Sequence, residues 1–448
     1  MFLCVPIAQK LFQFKKHIKP LEGSYVTVKD TVFTLNGWMD GRYQETKNKY
    51  MAQHYGLRNY FVRLNNQIRY SLFDLTSIHN VIVGKEGFMY ETEYIDAYYG
   101  NDFIGAEKLT QRYTAIKKLQ DQLAGMGIDL EVVFAPSKAA FYPEYIPDDY
   151  VTEKKQTNYD YAIELCKRLQ INHVDFNAWF KELKSKMPYG LYPKTGIHWS
   201  TYGSLLAADS LKKHIELNTH LNLKDLEITK VNYSDSLIHP DNDMGRVMNL
   251  LLPVNAPAMP YADYYWKPDD STTVQPNALF VSASYFFQIY SQGLSSNFFS
   301  NTRYWYYNTT VYPETEAIRD VNKLNIVEEI KKQKIIVLMA TEMNVQEMGW
   351  GFAERALDEL NHGDAKALRQ KAFVNSIKEE IKNTPEWMGN IKRKALERKI
   401  SEAEMIEQDA VYIYEQDYSK PEMTEKIEKA KTRIMNTKEW VEQINQKA

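Results

Sequence analysis

The chain has 448 residues, of which 25% are charged and 44% hydrophobic, and its formal net charge is −3. This length exceeds what one compact core holds, and it predicts a main domain of roughly 250 to 300 residues with a smaller unit. The composition is typical of a globular protein and lacks the basic excess of a nucleic-acid binder, so no nucleic-acid partner is expected. Cys4 and Cys166 stand outside any Cys/His cluster, so neither structural zinc nor another cofactor is expected.

An apolar stretch opens the chain and is followed by a basic run at Lys15, Lys16 and His17. The apolar stretch, residues 1–8, is too short to span a bilayer. It fits the tail end of an export segment, and it fits an ordinary buried N-terminus equally well. Both interpretations stay open for an N-terminal arm of residues 1–40.

The next elements alternate between helices and strands. Residues 41–74 have helical spacing of aromatic side chains, and residues 81–90 alternate around a glycine-containing turn, which predicts a hairpin. Apolar runs predict strands at 130–134, 172–176, 278–281 and 334–340, and helices are predicted near 104–127, 157–169, 177–186 and 201–216. Continuous apolar runs are typical of strands buried on both faces of a parallel sheet. The prediction is an α/β fold, a three-layer sandwich with a mostly parallel sheet.

Two regions depart from this alternation. Residues 218–276 are rich in turn residues and aromatics, so we interpret them as an insertion in a main domain of residues 41–361. Residues 362–448 are Lys/Glu-rich and are predicted to form a helical C-terminal repeat region. In this region Ile381–Trp387 recurs as Ile434–Trp440, which indicates an internal repeat.

Ser284 and His198 are the candidate catalytic pair. Open α/β sheets place their functional groups at the carboxyl ends of the strands, and Ser284 follows the strand near 278–281. His198 lies in a loop, Lys194–Gly203, just before a predicted helix. A serine nucleophile needs a base to accept its proton. We therefore predict Ser284 as the nucleophile and His198 as the general base.

Four further residues at strand ends are candidates for supporting roles. Lys138 and Tyr142 follow the strand at 130–134 and could shape a pocket, although a solvated loop fits them equally well. Asp175 and Glu342 are acids that could orient the histidine ring, and Glu342 could equally cap a helix. The aromatic run at 304–307 is interpreted mainly as core, with stacking on sugar rings as the alternative.

Four motifs, GKEGFMY, APSKAAFYPEYIP, KTGIHWSTYG and NALFVSASYF, occur in the order of a known family. Over about residues 75–355 the chain resembles the SGNH-hydrolase-like polysaccharide O-acetyltransferases, the alginate O-acetyltransferase type known as AlgX and AlgJ. The resemblance implies an SGNH/flavodoxin-like sandwich and an acetyl group relayed through Ser284 to a cell-surface or exported polysaccharide. It also implies a periplasmic location, with membrane anchoring through the N-terminal segment left open, and a membrane-bound O-acyltransferase as acetyl donor.

The chain departs from the family pattern at two positions. The family's histidine loop carries an aspartate two residues before the histidine, where this chain has Gly196. The residue before the serine is commonly aspartate in the family and is Ala283 here. A catalytically degenerate protein that binds glycan or scaffolds a polysaccharide-modification complex is therefore the alternative to an active acetyltransferase.

Overall fold

The computed structural model describes residues 5–12, 19–23 and 27–417. Its helices are α1 (Val5–Phe12), α2 (Leu35–Met39), α3 (Arg42–His54), α4 (Arg58–Phe73), α5 (Thr92–Tyr99), α6 (Ala106–Gly125), α7 (Lys138–Phe141), α8 (Asn158–Leu169), α9 (Phe176–Leu183), α10 (Thr201–Thr219), α11 (Asp243–Val247), α12 (Phe286–Ser291), α13 (Leu294–Phe298), α14 (Ile326–Lys331), α15 (Phe352–Asn383), α16 (Pro385–Arg398) and α17 (Glu402–Asp417). Its strands are β1 (Val81–Val83), β2 (Met89–Glu91), β3 (Asp129–Ala135), β4 (His173–Asp175), β5 (Leu226–Ser234), β6 (Met259–Trp266), β7 (Asn277–Ser282), β8 (Asn301–Tyr306), β9 (Thr310–Tyr312) and β10 (Ile335–Thr341).

A six-stranded sheet in the order β4-β3-β10-β7-β8-β9 forms the centre of the main unit. The pairs from β4 to β8 are parallel, and β9 is antiparallel to β8. The predicted α/β fold with a mostly parallel sheet is confirmed. Because β10 is inserted between β3 and β7, the last strand in the sequence lies at the centre of the sheet.

Helices cover both faces of this sheet. Every residue of β10 is buried, as expected for a strand enclosed on two sides. Val337 and Met339 pack in one apolar cluster with residues of α10 and α12. The intervening residues of β10, Ile336 and Leu338, point to the opposite face and are equally buried, and α6 and α8 lie against each other beside β3 and β4.

The ends of the helices follow from local side chains. Ser200 caps α10 by accepting a hydrogen bond from the Gly203 N–H at 3.0 Å, and Thr157 caps α8 in the same way. Leu109, Tyr113 and Ile116 recur at helical spacing along the buried face of α6. The capping side chains and the apolar periodicity are thus the features of the sequence that favour helices at these positions.

The predicted insertion at 218–276 contains an antiparallel ribbon formed by β5 and β6, with the short helix α11 between them in sequence. The predicted hairpin is present as the β1–β2 pair, in which Val83 lies opposite Met89. The insertion begins within the last turn of α10, which ends at Thr219.

The chain divides into two compact units, Met1–Leu357 and Asp358–Ala448. The predicted domain boundary between residues 361 and 362 falls inside α15. In the second unit, Ile381, Ile391 and Met405 form a small apolar core against which Trp387 packs. The second copy of the sequence repeat, Ile434–Trp440, lies outside the described residues.

None of the helices within residues 5–12, 19–23 and 27–417 has the length and apolar character needed to cross a membrane.

Candidate functional site

Ser284 lies in the short turn between β7 and α12 and is half-buried. The strand that leads to it is buried from Ala278 onward, so β7 is fixed in the sheet and its carboxyl end is held in place. The Phe287 N–H donates to the Ser284 carbonyl at 3.0 Å and begins the following helix. The hydroxyl of Ser284 is therefore presented at the carboxyl edge of the sheet from a rigid strand end.

His198 lies next to this serine, with its Nε2 atom 2.9 Å from Ser284 Oγ. Two side chains beyond Ser284 hold the histidine loop. The Tyr285 hydroxyl donates to the Ile197 carbonyl at 2.9 Å, and the Gln288 side-chain amide donates to the Trp199 carbonyl at 2.8 Å. The element that carries the serine thus also fixes the backbone on both sides of the histidine.

Asp243, the first residue of α11, completes a line of three side chains. Its Oδ2 atom is 2.8 Å from His198 Nδ1. Because an ionised carboxylate can only accept, Nδ1 carries the proton, and Nε2 is left to accept a hydrogen bond from the Ser284 hydroxyl. The other carboxylate oxygen accepts from the Ile197 N–H at 3.1 Å and from the Met244 N–H. The carboxylate therefore orients both the ring and the backbone that carries it.

The two acids considered from sequence are engaged elsewhere. Asp175 accepts from the Tyr159 hydroxyl at 2.8 Å and caps α9 through the Ala178 N–H at 2.9 Å. Glu342 is buried beyond the end of β10, where burial raises the pKa of its carboxyl and Ser137 hydrogen-bonds to it. The contact with His198 Nδ1 is made instead by an acid from the predicted insertion.

Lys138 lies directly beneath the histidine loop. It is 2% exposed, and its Nζ atom donates to the Lys194 and Gly196 carbonyls at 2.8 Å each. Burial lowers the pKa of its ammonium to about 7, and the negative charge of Asp243 opposes this shift. Lys138 thus braces the backbone just before His198.

Tyr142, the other residue predicted on this loop, packs in an aromatic cluster. Its ring centroid lies 5.1 Å from that of Phe88 and 5.6 Å from that of Tyr145. Its carbonyl accepts a hydrogen bond from the Tyr90 hydroxyl at 2.6 Å. These contacts join the β1–β2 hairpin to the loop after β3, so Tyr142 has a packing role next to the bracing lysine.

Tyr307 is a further residue of the site that the sequence analysis assigned to core packing. It follows β8 with a positive φ of 49°, and its phenol lies beside Ser284. Burial raises the pKa of this phenol, and the polar groups of Ser284 oppose that rise. The aromatic run that contains Tyr307 gave no sign that one of its hydroxyls reaches the serine.

Asp243 was missed for a related reason. It lies in a turn-rich segment at the start of a five-residue helix, where an aspartate is favourable for the helix terminus alone. No local pattern distinguishes it from Asp241, which accepts from the Thr201 N–H at 2.8 Å and so supports the start of α10.

The part of the chain that the structure describes contains no cluster of three or more His, Cys, Asp or Glu side chains arranged to hold a metal ion.

Residues 81–284, which include the serine, the histidine and Asp243, match the family described as "SGNH hydrolase-like domain, acetyltransferase AlgX". Over these residues the chain is similar to the AlgX-type SGNH hydrolase-like acetyltransferase domain. A curated relative, the probable alginate O-acetylase AlgJ of Pseudomonas aeruginosa, is 24% identical over 156 residues. That match covers 34% of this chain and 38% of the relative, so the chain spans well under half of the relative's length.

Solved structures resemble the chain at lower identity. The O-acetyltransferase domain of Pseudomonas putida AlgJ is 15% identical with a TM-score of 0.41, and the match covers 62% of this chain and 99% of that chain. Bacillus cereus PatB1 is 12% identical with a TM-score of 0.40, covering 61% and 100%. Pseudomonas aeruginosa AlgX is 13% identical with a TM-score of 0.38, covering 61% and 67%. With TM-scores below 0.5, these likenesses carry no weight for individual residues.

The histidine loop has no room for an aspartate at position 196, where the family pattern carries one. A Cβ atom on Gly196 would lie 2.6 Å from Pro193 Cγ and 3.0 Å from the Asp241 carbonyl oxygen. Position 196 is therefore closed by the same 240–243 segment that brings Asp243 to His198. The carboxylate that contacts the imidazole is therefore supplied by Asp243, 47 residues after Gly196 in sequence.

Proposed function

We propose that the chain transfers an acetyl group to a polysaccharide hydroxyl through an acetyl ester on Ser284. The observation that carries this proposal is a pair of hydrogen bonds: His198 Nδ1 donates to Asp243 at 2.8 Å, and the Ser284 hydroxyl donates to His198 Nε2 at 2.9 Å. Such a line of carboxylate, imidazole and hydroxyl is the arrangement that activates a serine for acyl transfer.

The first half-reaction forms the acetyl-enzyme. His198 Nε2 takes the Ser284 proton as Oγ attacks the carbonyl carbon of an acetyl ester, and Asp243 stabilises the imidazolium that results. The negative charge moves to the former carbonyl oxygen, where the Tyr307 hydroxyl, already beside Ser284, is placed to donate a hydrogen bond. The intermediate collapses with cleavage of the bond to the donor oxygen, which leaves with the proton from His198.

The second half-reaction repeats these steps in reverse order. An acceptor hydroxyl gives its proton to His198 and attacks the acetyl carbon, and Ser284 leaves and recovers a proton from the imidazolium. Exported polysaccharide as acceptor, a membrane-bound O-acyltransferase as donor, and a periplasmic location are parts of the proposal that rest on the family resemblance.

The binding-only alternative depended on the absence of a carboxylate at position 196. Asp243 supplies a carboxylate to His198 Nδ1 at 2.8 Å, so that reason no longer favours a degenerate site. We therefore propose an active enzyme.

The test is acetylation of the serine by an activated ester. The full chain is incubated with 4-nitrophenyl acetate, and release of nitrophenol is followed together with intact mass and peptide mapping. We expect an acetyl group on Ser284 and turnover that both S284A and H198A abolish, with no further loss in the double variant. S291A is the matched control. It removes the hydroxyl of the last residue of α12, and it should keep the wild-type rate. Turnover that S284A leaves unchanged would contradict the proposal.

A further inference from the structure

Three alternate residues of the segment 241–245 contact the histidine loop in reverse chain order. The pairs are Gly245 with Thr195, Asp243 with Ile197 and His198, and Asp241 with Thr201. At one end the Gly245 N–H donates to the Thr195 carbonyl at 3.0 Å, and a Cβ atom on Gly245 would lie 3.1 Å from the Thr195 Cβ. The segment and the loop are therefore in close contact, and the bond between Asp243 and the imidazole lies between two further contacts.

At the other end, Asp241 is a carboxylate that makes two hydrogen bonds to one residue. It is fully buried, and its Oδ1 atom accepts from the Thr201 N–H at 2.8 Å and from the Thr201 hydroxyl at 3.1 Å. Burying a carboxylate costs free energy unless hydrogen bonds stabilise it. Asp241 is therefore held at the first residue of α10, close after His198 in the chain.

The bonds to Asp241 are additional to a cap that α10 already has. Ser200 is fully buried and accepts from the Gly203 N–H at 3.0 Å, which is the usual side-chain cap of a helix start. Asp241 reaches Thr201 from a position 40 residues later in the sequence. Its carboxylate therefore joins the end of the histidine loop to the segment that carries Asp243.

Noncovalent contacts have to hold Asp243 at the imidazole. The family pattern places the acid on the histidine loop, two residues before the histidine, where the chain itself limits its distance from the ring. In this chain 45 residues separate Asp243 from His198. Precise placement matters for the rate, because a displacement of about 1 Å can lower the rate of a catalysed reaction by roughly 100-fold.

We propose that Asp241 is a positioning residue, which acts through Asp243 by holding the segment 241–245 against the histidine loop. This inference rests on the proposed function, because its effect is measured on acyl transfer to Ser284. Without the two bonds to Thr201, Asp243 moves away from His198 Nδ1. The chemical step then slows, while binding of the ester stays the same.

The test compares D241A in two backgrounds. Acetylation of Ser284 by 4-nitrophenyl acetate is followed in the full chain by peptide mass mapping, and the rate is expressed per folded molecule with the folded fraction taken from urea unfolding. In the wild type we expect D241A to lower the maximal rate by about 10- to 100-fold at an unchanged half-saturating ester concentration. In D243N, which lacks the carboxylate that Asp241 positions, D241A should lower the rate by less than about threefold.

T201P removes both donors from the other side of the contact. Proline is favourable at the first position of a helix, and the extended ψ of 161° at Ser200 suits a residue before proline. T201P should therefore lower the maximal rate as D241A does, and it gives the same measurement if D241A does not fold. D241N retains an oxygen acceptor for the Thr201 N–H and should recover most of the rate that D241A loses.

T157A is the matched control. It removes a buried cap from α8, where Thr157 accepts from the Asp160 N–H at 2.9 Å, and it should lower stability without lowering the rate per folded molecule. Equal losses from D241A in the wild type and in D243N would overturn the inference, and so would unchanged rates in D241A and T201P. Both outcomes leave the proposed function standing. No acetylation of Ser284 in the wild type would overturn the proposed function and the inference with it.

Discussion

Asp243 Oδ2 lies 2.8 Å from His198 Nδ1, although 45 residues separate the two in sequence. The same carboxylate also accepts from the Ile197 N–H, so one side chain holds both the ring and the backbone of the histidine loop. Asp243 is the first residue of α11 and lies in the segment 218–276, for which the sequence analysis predicted an insertion and no catalytic residue.

The first prediction concerns the acid itself. D243N keeps the shape of the side chain but presents an amide that can donate to Nδ1, which favours the wrong imidazole tautomer. We expect kcat/KM for 4-nitrophenyl acetate to fall by roughly 10³- to 10⁴-fold, as in serine hydrolases that lose this carboxylate. D175N, which changes the acid that caps α9, should leave the rate per folded molecule within a few-fold. A large loss in D175N and none in D243N would reverse the assignment.

The second prediction concerns position 196. G196D introduces the family's residue, but its Cβ would lie 2.6 Å from Pro193 Cγ, and Asp243 already contacts the ring. We expect lower activity and a loss of roughly 1–3 kcal/mol in the free energy of unfolding from overpacking. G125A, at a helical glycine with open space around it, should cause no loss of either. A rise in rate in G196D would show that the loop can admit a second acid.

The third prediction concerns Lys138. K138M keeps the length of the side chain but leaves the Lys194 and Gly196 carbonyls without their donor. We expect the free energy of unfolding to fall by about 1–3 kcal/mol and kcat to fall with it, because the backbone before His198 loosens. K334M removes an exposed lysine that donates to the Gly127 carbonyl at 2.7 Å, and it should change stability by less than about 0.5 kcal/mol. Denaturant unfolding and ester hydrolysis of both variants provide the comparison.

The fourth prediction concerns the phenol beside the serine. Y307F removes the hydroxyl that lies beside Ser284 and retains the ring. If that hydroxyl stabilises the oxyanion, kcat should fall by about 100-fold with little change in KM, because the interaction strengthens only in the transition state. Y312F, whose ring packs on Phe287 at 5.0 Å, is the matched control and should stay near the wild-type rate. Unchanged kcat in Y307F would assign the tyrosine to packing.

The fifth prediction is a pH dependence of stability. Burial raises the pKa of Glu91 from its ordinary value of 4.5 to about 7 in the folded chain. Between these values the folded state holds a proton that the unfolded state has released, so the stabilising contribution of Glu91 is lost as pH rises. The difference in unfolding free energy between wild type and E91Q should therefore decrease by up to roughly 1.4 kcal/mol per pH unit from pH 5 to 7 and level off above pH 8. Urea unfolding at pH 5, 6, 7 and 8 measures this, and a constant difference would place Glu91 in water.

The sequence by itself determined strands β3, β4, β7 and β10, helices α6, α8, α9 and α10, and the two ends of the serine–histidine contact. Continuous apolar runs specify β3, β7 and β10 because strands covered on both faces need apolar residues throughout. Ser284 and His198 could be chosen because a position just after a strand or just before a helix is a local property. Those same local properties could not identify the acid.

The tertiary structure decided which acid meets the imidazole. Asp175 is the last residue of β4, and in the sheet β3 and β10 lie between β4 and β7, so its strand end is remote from that of Ser284. Glu342 follows β10, which adjoins β7, but it is buried against Ser137. Strand order and the path of the 240–247 segment are set by packing between residues far apart in sequence, and no periodicity or spacing records them. The contact of Asp243 with His198 and the position of Tyr307 beside Ser284 therefore appear only once the chain is folded.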